Sequence, residues 1–284
     1  MIRVADEVRE AAAVVALETT LVAHGFPPGD GVAVALESER RVREAGAVPA
    51  TIGVLDGEIR VGLTADELER FTADARKLGP RDLAACVVSG EVGATTVGGT
   101  LAVCRQAGIR FMGTGGIGGV HRGPRLDISA DLIELSRTPV VVVSSGVKSL
   151  LDVEATAELL ETLSVPVLGW RTDTMPRFYD ASGGPPVTRR VESAEEVVQI
   201  ARAHWDLIGC GLVVGNPPPR SIDVEALIES ALDDAVELGT TGQGLTPFVL
   251  GHLHEESGGE TLELNRELIA ANAQLAAALA VAAA

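Results

Sequence analysis

The chain has 284 residues, enough for one large α/β domain or two smaller ones around a sizeable core. A formal charge of −17 argues against a nucleic-acid surface or an anionic membrane as partner, and 3% aromatic content leaves the core to Ala, Val, Leu and Ile. Cys86, Cys104 and Cys210 show no paired spacing, the first twenty residues are too acidic for a signal peptide, and the Ala-rich end lacks the bulk of a membrane span; a cytoplasmic protein is expected.

Apolar β-branched runs at 13–19, 48–55, 109–114, 139–146, 165–170 and 211–216 predict strands. Helical patterns at 30–46, 95–108, 128–138, 152–164 and 193–208 fall between them. Thr64 with Glu67, and Ser193 with Glu196, have capping-box spacing at helix starts. Near-continuous apolar strands separated by helices imply a largely parallel sheet covered on both faces. A hairpin turn at Asp56-Gly57 makes the sheet mixed. Without a repeat, a linker or a break in composition, residues 1–284 read as one domain.

Ligands of open α/β sheets gather at the carboxyl ends of strands, and four strands here run into unusual loops: "TLVAHGFPPGDG", "GGIGGVHRG", "VKSLLD" and "PPPRS". In "IRFMGTGGIGGVHRG", Gly113, Gly115 and Gly118 satisfy the dinucleotide pattern G-x-G-x-x-G. The helix that such a fold requires is absent, because Val120, His121, Arg122, Gly123 and Pro124 follow and the next helix begins near Ser129. The stretch reads instead as a substrate loop. Its freed N–H groups form an anion cradle, to which His121, Arg122 and Arg125 add charge.

Glu18 ends an apolar strand and is either a hydrogen-bonded strand end or a general acid in a partly desolvated site. Lys148 follows "VVVVSSGV" at a strand-to-loop turn, where an amine either lies along the surface or attacks carbonyl-like carbons. Asp127 and Asp131 flank a helix start at Ser129, either as caps or as ligands of Mg²⁺ or Mn²⁺. Lys77 and Arg81 form a basic patch, with Asn216 and Asn272 as weaker candidates.

Taken in order, "VALETTLVAHGFP", "GAVPATIGVLDGEIRVGL", "GATTV", "TGGIGGVHRG", "DISADLIEL", "SSGVKSLLD", "GNPPP" and "TPFVL" resemble the pseudouridine-5′-phosphate glycosidases, which include the indigoidine-pathway A proteins. The resemblance runs from about residue 12 to the last helix. It implies a three-layer α/β/α fold, a homotrimer and a requirement for Mn²⁺. It also implies reversible cleavage of the carbon–carbon bond of pseudouridine 5′-phosphate, giving uracil and ribose 5-phosphate through a lysine imine at C1′. The family's nucleophilic lysine matches Lys148, and its proton donor matches Glu18. Its substrate contacts match Lys77, Val97, Ser129, Ala130 and Asp131, and its metal carboxylate matches Asp127. His121 and Arg122 are added for phosphate, and Asn272 as a further substrate contact. Two departures stand near these positions: "KLGPRDL", with Gly79 and Pro80 where the family has serine and arginine, and "RGPRLD", two residues shorter than usual before Asp127. The alternatives are a related C- or N-riboside step in pigment synthesis and a non-catalytic nucleotide-binding protein.

Overall fold

The computed structural model describes residues 2–27, 29–123, 126–240 and 245–284, apart from the side chains of Thr246 and Pro247. In the first third of the chain, β1 (Ile2–Val4), α1 (Asp6–Glu10), β2 (Val14–Glu18), α2 (Thr20–His24) and α3 (Asp30–Glu44) lead into the hairpin β3 (Val48–Leu55) and β4 (Glu58–Val61). Then come α4 (Ala65–Leu68), β5 (Arg76–Leu78), a 3₁₀ turn (Pro80–Asp82), α5 (Leu83–Ser89), β6 (Gly93–Thr95), α6 (Val97–Ala107), β7 (Phe111–Gly113), β8 (Val120–His121) and α7 (Ala130–Leu135). The rest comprises β9 (Val141–Ser144), β10 (Leu151–Asp152), α8 (Val153–Thr162), β11 (Val167–Trp170), β12 (Arg189–Val191), α9 (Ala194–Leu207), β13 (Leu212–Gly215), α10 (Glu225–Glu237), α11 (Leu245–Glu256) and α12 (Glu260–Ala283).

The main sheet runs in the order β1-β4-β3-β2-β7-β9-β13-β11-β12, and β6 pairs with both β3 and β5. From β3 through β2 to β12 every pairing is parallel, whereas β3 meets β4 and β6 antiparallel. The expected hairpin is present, with both Asp56 and Gly57 at positive φ, as a tight two-residue turn requires. Of the two expected capping boxes, that at Thr64 and Glu67 is complete. At the other, Ser193 accepts from Glu196 N–H while the Glu196 carboxylate turns to Glu192 N–H.

Period-two alternation sends neighbouring residues of each central strand into different cores. Ala16, Met112, Val142 and Val213 pack with α6 and α7. Val15, Leu17, Phe111, Val141, Val143, Leu212 and Val214 pack with α3, α9 and α12. Two helical layers on one sheet make the three-layer α/β/α arrangement. Small residues let α12 lie very close to the sheet: a Cβ on Gly113 would stand 2.9 Å from Ala273 Cα. That contact gives the alanine-rich C-terminal run a packing role.

Strand order reverses direction around β2. The chain goes from β2 to β3 on one side and returns to lay β7 on the other. This is the topological switch point, where α/β sheets open a crevice at their carboxyl ends.

Candidate active site

Glu18 is the last residue of β2 and Thr114 follows the end of β7, so the two meet across the switch point. The Thr114 hydroxyl donates to Glu18 Oε1 at 2.6 Å. Glu18 is 5% exposed. Burial raises its pKa; the charges of Lys148 and Lys77 and the Thr114 bond pull against that rise, while Asp131 adds to it. Lys148 leaves β9 by way of Gly146, whose φ of +79° turns the chain. A Cβ on Gly146 would stand 1.8 Å from Pro176 O, so glycine is dictated there twice over. The Lys148 N–H then donates to Ile117 O, fastening its turn to the glycine loop.

These groups open into a trough of about 870 Å³ lined by Glu18, Lys77, His121, Asp127, Asp131 and Lys148, with Gly118 and Ser129 between them. Lys77 enters from β5, and burial with the nearby Lys148 charge lowers its pKa. Burial likewise lowers the pKa of His121 against the opposing pull of Asp127, and its Nδ1 is buried without a hydrogen-bond partner. A cavity of similar size, about 850 Å³, lies by His24, Gly31, Phe71 and Leu250, but among the described residues no lysine or arginine lines it. The trough is the cavity that gathers the sequence's candidate residues Glu18, Lys77, Asp127 and Lys148.

Several expected residues have other roles. Asp131 is buried, and its two carboxylate oxygens accept from Gly98 N–H at 2.7 Å and Gly118 N–H at 2.8 Å. It clamps the start of α6 to the glycine loop, which makes it a poor rival to Asp127 for a metal. Among the described residues no three His, Cys, Asp or Glu side chains cluster as a metal cage. The glycine loop is no open anion cradle. Residues 115–119 are buried, Gly118 N–H is spent on Asp131, and added Cβ atoms at Gly116 and Gly119 would strike Phe178 and Thr156. Its glycines serve close packing, although Gly118 still borders the trough.

Arg122 points out of the trough altogether, its guanidinium held by Ser149 O, Leu151 O and Glu225, so it is not placed for phosphate. Arg125 lies outside the described residues. Asn272 is fully buried in α12. It donates to Thr114 O, Gly115 O and Ser145 Oγ and accepts from Asn216, so it supports the site from beneath instead of touching the trough. Val97 is buried at the first turn of α6, one residue beyond Thr96 on the trough wall. Ser129 caps α7 by accepting from Asp131 N–H, and Ala130 stands exposed beside it. Residue-by-residue reading did not single out Thr114; its position just past a central strand end is the signal that could have found it.

A buried carboxyl and two lysines share one trough with Asp127 and His121 at the switch point of an α/β sheet, an arrangement of the kind enzyme sites use. The chain matches the model of the indigoidine synthase A-like proteins over residues 3–282, and it belongs to that family. It is 48% identical to a pseudouridine-5′-phosphate glycosidase of a Nocardioides species, over 98% of this chain and 94% of that one. A pseudouridine-5′-phosphate glycosidase of Glaesserella parasuis is 43% identical, with 97% and 96% covered. Among solved structures, an indigoidine synthase A-like protein of Thermotoga maritima superposes with a TM-score of 0.90 at 38% identity, over 99% of this chain and 96% of that one. The prealnumycin C-glycosynthase AlnA, solved in complex with ribulose 5-phosphate, does so equally well, at 0.90 and 38%, over 100% and 97%.

Proposed function

We propose that this chain cleaves the carbon–carbon glycosidic bond of pseudouridine 5′-phosphate reversibly, giving uracil and ribose 5-phosphate, with Lys148 as nucleophile and Glu18 as proton donor. The observation that carries this reading is a buried carboxyl with a raised pKa sharing one trough with Lys148. Relatives of nearly equal length that bear the name of this activity support it.

A carbon-linked base cannot leave by protonation of a heteroatom in the glycosidic bond, so the sugar carbon must first gain an electron source. Lys148 Nζ attacks C1′ while Glu18 delivers its proton to the ring oxygen, and the C1′–O4′ bond breaks. The Lys148 nitrogen gives up a proton to the Glu18 carboxylate; its lone pair then forms C1′=N as the C1′–C5 bond breaks, and C5 of uracil keeps that electron pair and takes the proton back from Glu18. Water adds to the imine, Lys148 departs, and ribose 5-phosphate is released. Overall one water is consumed.

In this reading Lys77 and His121 meet the phosphate, and Ser129 and the backbone around Val97 and Ala130 complete the contacts. Asp127 suits a hard cation: it is a carboxylate on the trough wall beside the buried, unpartnered His121 Nδ1, and Mn²⁺ or Mg²⁺ is commonly held by one or two carboxylates with water. When bound there, Mn²⁺ would supply positive charge against the phosphate. A cytoplasmic homotrimer of one-domain chains completes the reading; among the described residues no helix is long and apolar enough to cross a membrane.

A second reading, a related C- or N-riboside step with a different aglycone, is favoured by the likeness to AlnA and by Gly79 and Pro80 on the trough wall. Uracil release from pseudouridine 5′-phosphate, set against uridine 5′-phosphate, separates the two. Lys148→Met should abolish that release and leave the fold intact. Borohydride with ribose 5-phosphate should leave a pentose-phosphate adduct on Lys148 in the unaltered protein. Wild-type turnover by Lys148→Met would sink the proposal.

A further inference from the structure

Arg122 sits behind the trough, on the far side of the turn that carries Lys148. Its Nε donates to Leu151 O at 3.2 Å and its Nη2 to Ser149 O at 3.0 Å. Glu225, at the first turn of α10, grips the outer edge of the same guanidinium at 2.5 and 3.2 Å. Ser149 and Leu151 are buried, so water cannot easily replace those donors. Leu151 N–H closes the turn on Lys148 O, and Leu151 pairs with His121 where β10 meets β8. One side chain thus ties the Lys148 turn, the His121 arm and α10 together.

The guanidinium lines a separate cavity of about 640 Å³ with five carboxylates, Asp152, Glu154, Asp180, Asp223 and Glu225, and with Arg177, which is paired to Glu154. Carboxylates in that number repel a phosphate, and the donors facing the turn are already spent. A rigid planar fork can hold two carbonyls two residues apart at fixed spacing, while a lysine ammonium is a single point on a flexible stem.

We propose that Arg122 is a positioning residue that fixes the Lys148 turn so that Nζ meets C1′, with Glu225 as its outer anchor; this rests on Lys148 being the nucleophile. Imine formation demands near-attack geometry, and a displacement of the order of 1 Å costs about 100-fold in rate. Arg122→Ala and Arg122→Lys should therefore lower kcat for uracil release by roughly 10- to 100-fold with KM nearly unchanged. Guanidinium ion should restore part of the loss in Arg122→Ala, and Glu225→Gln should show a smaller loss of the same kind. Borohydride trapping of ribose 5-phosphate on Lys148 should slow in proportion.

Amide hydrogen exchange over residues 148–152 reads the turn without any substrate, and it should quicken in Arg122→Ala while the central strands stay protected. A raised KM at constant kcat would make Arg122 a phosphate contact and overturn the proposal. Unchanged kcat together with unchanged exchange would overturn it too. If an Arg122 variant does not fold, Glu225→Gln alone must show the lowered kcat and the faster exchange. Should the unaltered protein neither release uracil nor trap ribose 5-phosphate, the functional reading fails; the exchange result still tells whether Arg122 holds the turn.

Discussion

A carboxyl with 5% of its surface exposed gives up its proton reluctantly, and Glu18 is such a group. Burial outweighs the Lys148 and Lys77 charges and the Thr114 bond, which pull the other way. A raised pKa suits a residue that is to act as a proton donor. It also links folding to pH. With the folded pKa raised above the unfolded one, the stabilising contribution is full below the unfolded pKa and is lost as pH rises through the folded pKa. Glu18→Gln keeps the shape and the hydrogen bonding without the ionisation. Its melting temperature relative to the unaltered protein should therefore climb as pH is raised through and above the ordinary glutamate range, about pH 4, as the native carboxyl is forced to ionise. A difference that stays flat over that rise would show Glu18 titrating like a solvated glutamate.

Among the elements, α12 does most to shape the site, although no strand neighbours it in sequence. Ala273, Ala276, Ala277 and Ala280 bring it flat onto the sheet, and that closeness lets Asn272 reach the carbonyls of Thr114 and Gly115. Gly113→Ala would put a methyl group 2.9 Å from Ala273 Cα and 3.2 Å from its nitrogen, backbone atoms that cannot swing aside. We expect a loss of roughly 2 kcal/mol in urea unfolding, as for an overpacked core, with activity falling further than stability because the Thr114 carbonyl is displaced with the helix. Ile117→Val, in the same loop, removes volume instead of adding it and should cost only about 1 kcal/mol.

The same helix marks the limit of what the sequence discloses. The parallel strands β2, β3, β7, β9, β11 and β13 were legible because burial on both faces leaves unbroken apolar runs. The strands β5 (Arg76–Leu78) and β12 (Arg189–Val191) were not, being three-residue pieces that carry arginine. Glu18 and Lys148 stood out because a charged group at the end of a buried strand is conspicuous in the chain itself. The directions of Arg122 and Asn272 were not readable, because they depend on β8 meeting β10 and on α12 docking against β7, contacts made by residues far apart in sequence.

Charge decides behaviour at the scale of the molecule. If Lys77 and Lys148 receive the substrate as proposed, a dianionic nucleotide must approach a chain of formal charge −17 to reach them. The arginines around the trough do little to reverse that field. Arg81 lies 3.6 Å from Asp82, and Arg105 and Arg137 each lie 3.8 Å from the buried carboxylate of Glu134. Approach is governed by distant, solvated charges, which salt screens over a Debye length of about 10 Å at 0.1 M. In the proposed reading the final contacts, with Lys77 and His121, are partly buried and are screened much less. Raising NaCl from about 10 to about 150 mM should therefore increase kcat/KM for pseudouridine 5′-phosphate, while kcat stays nearly constant. Substrate steered inward by an attractive mouth would show the reverse. A steep fall in kcat/KM over that range would mean that Arg81, Arg105 and Arg137 outweigh the acidic shell, and charge-reversing substitutions at those three positions would then be the way to apportion it.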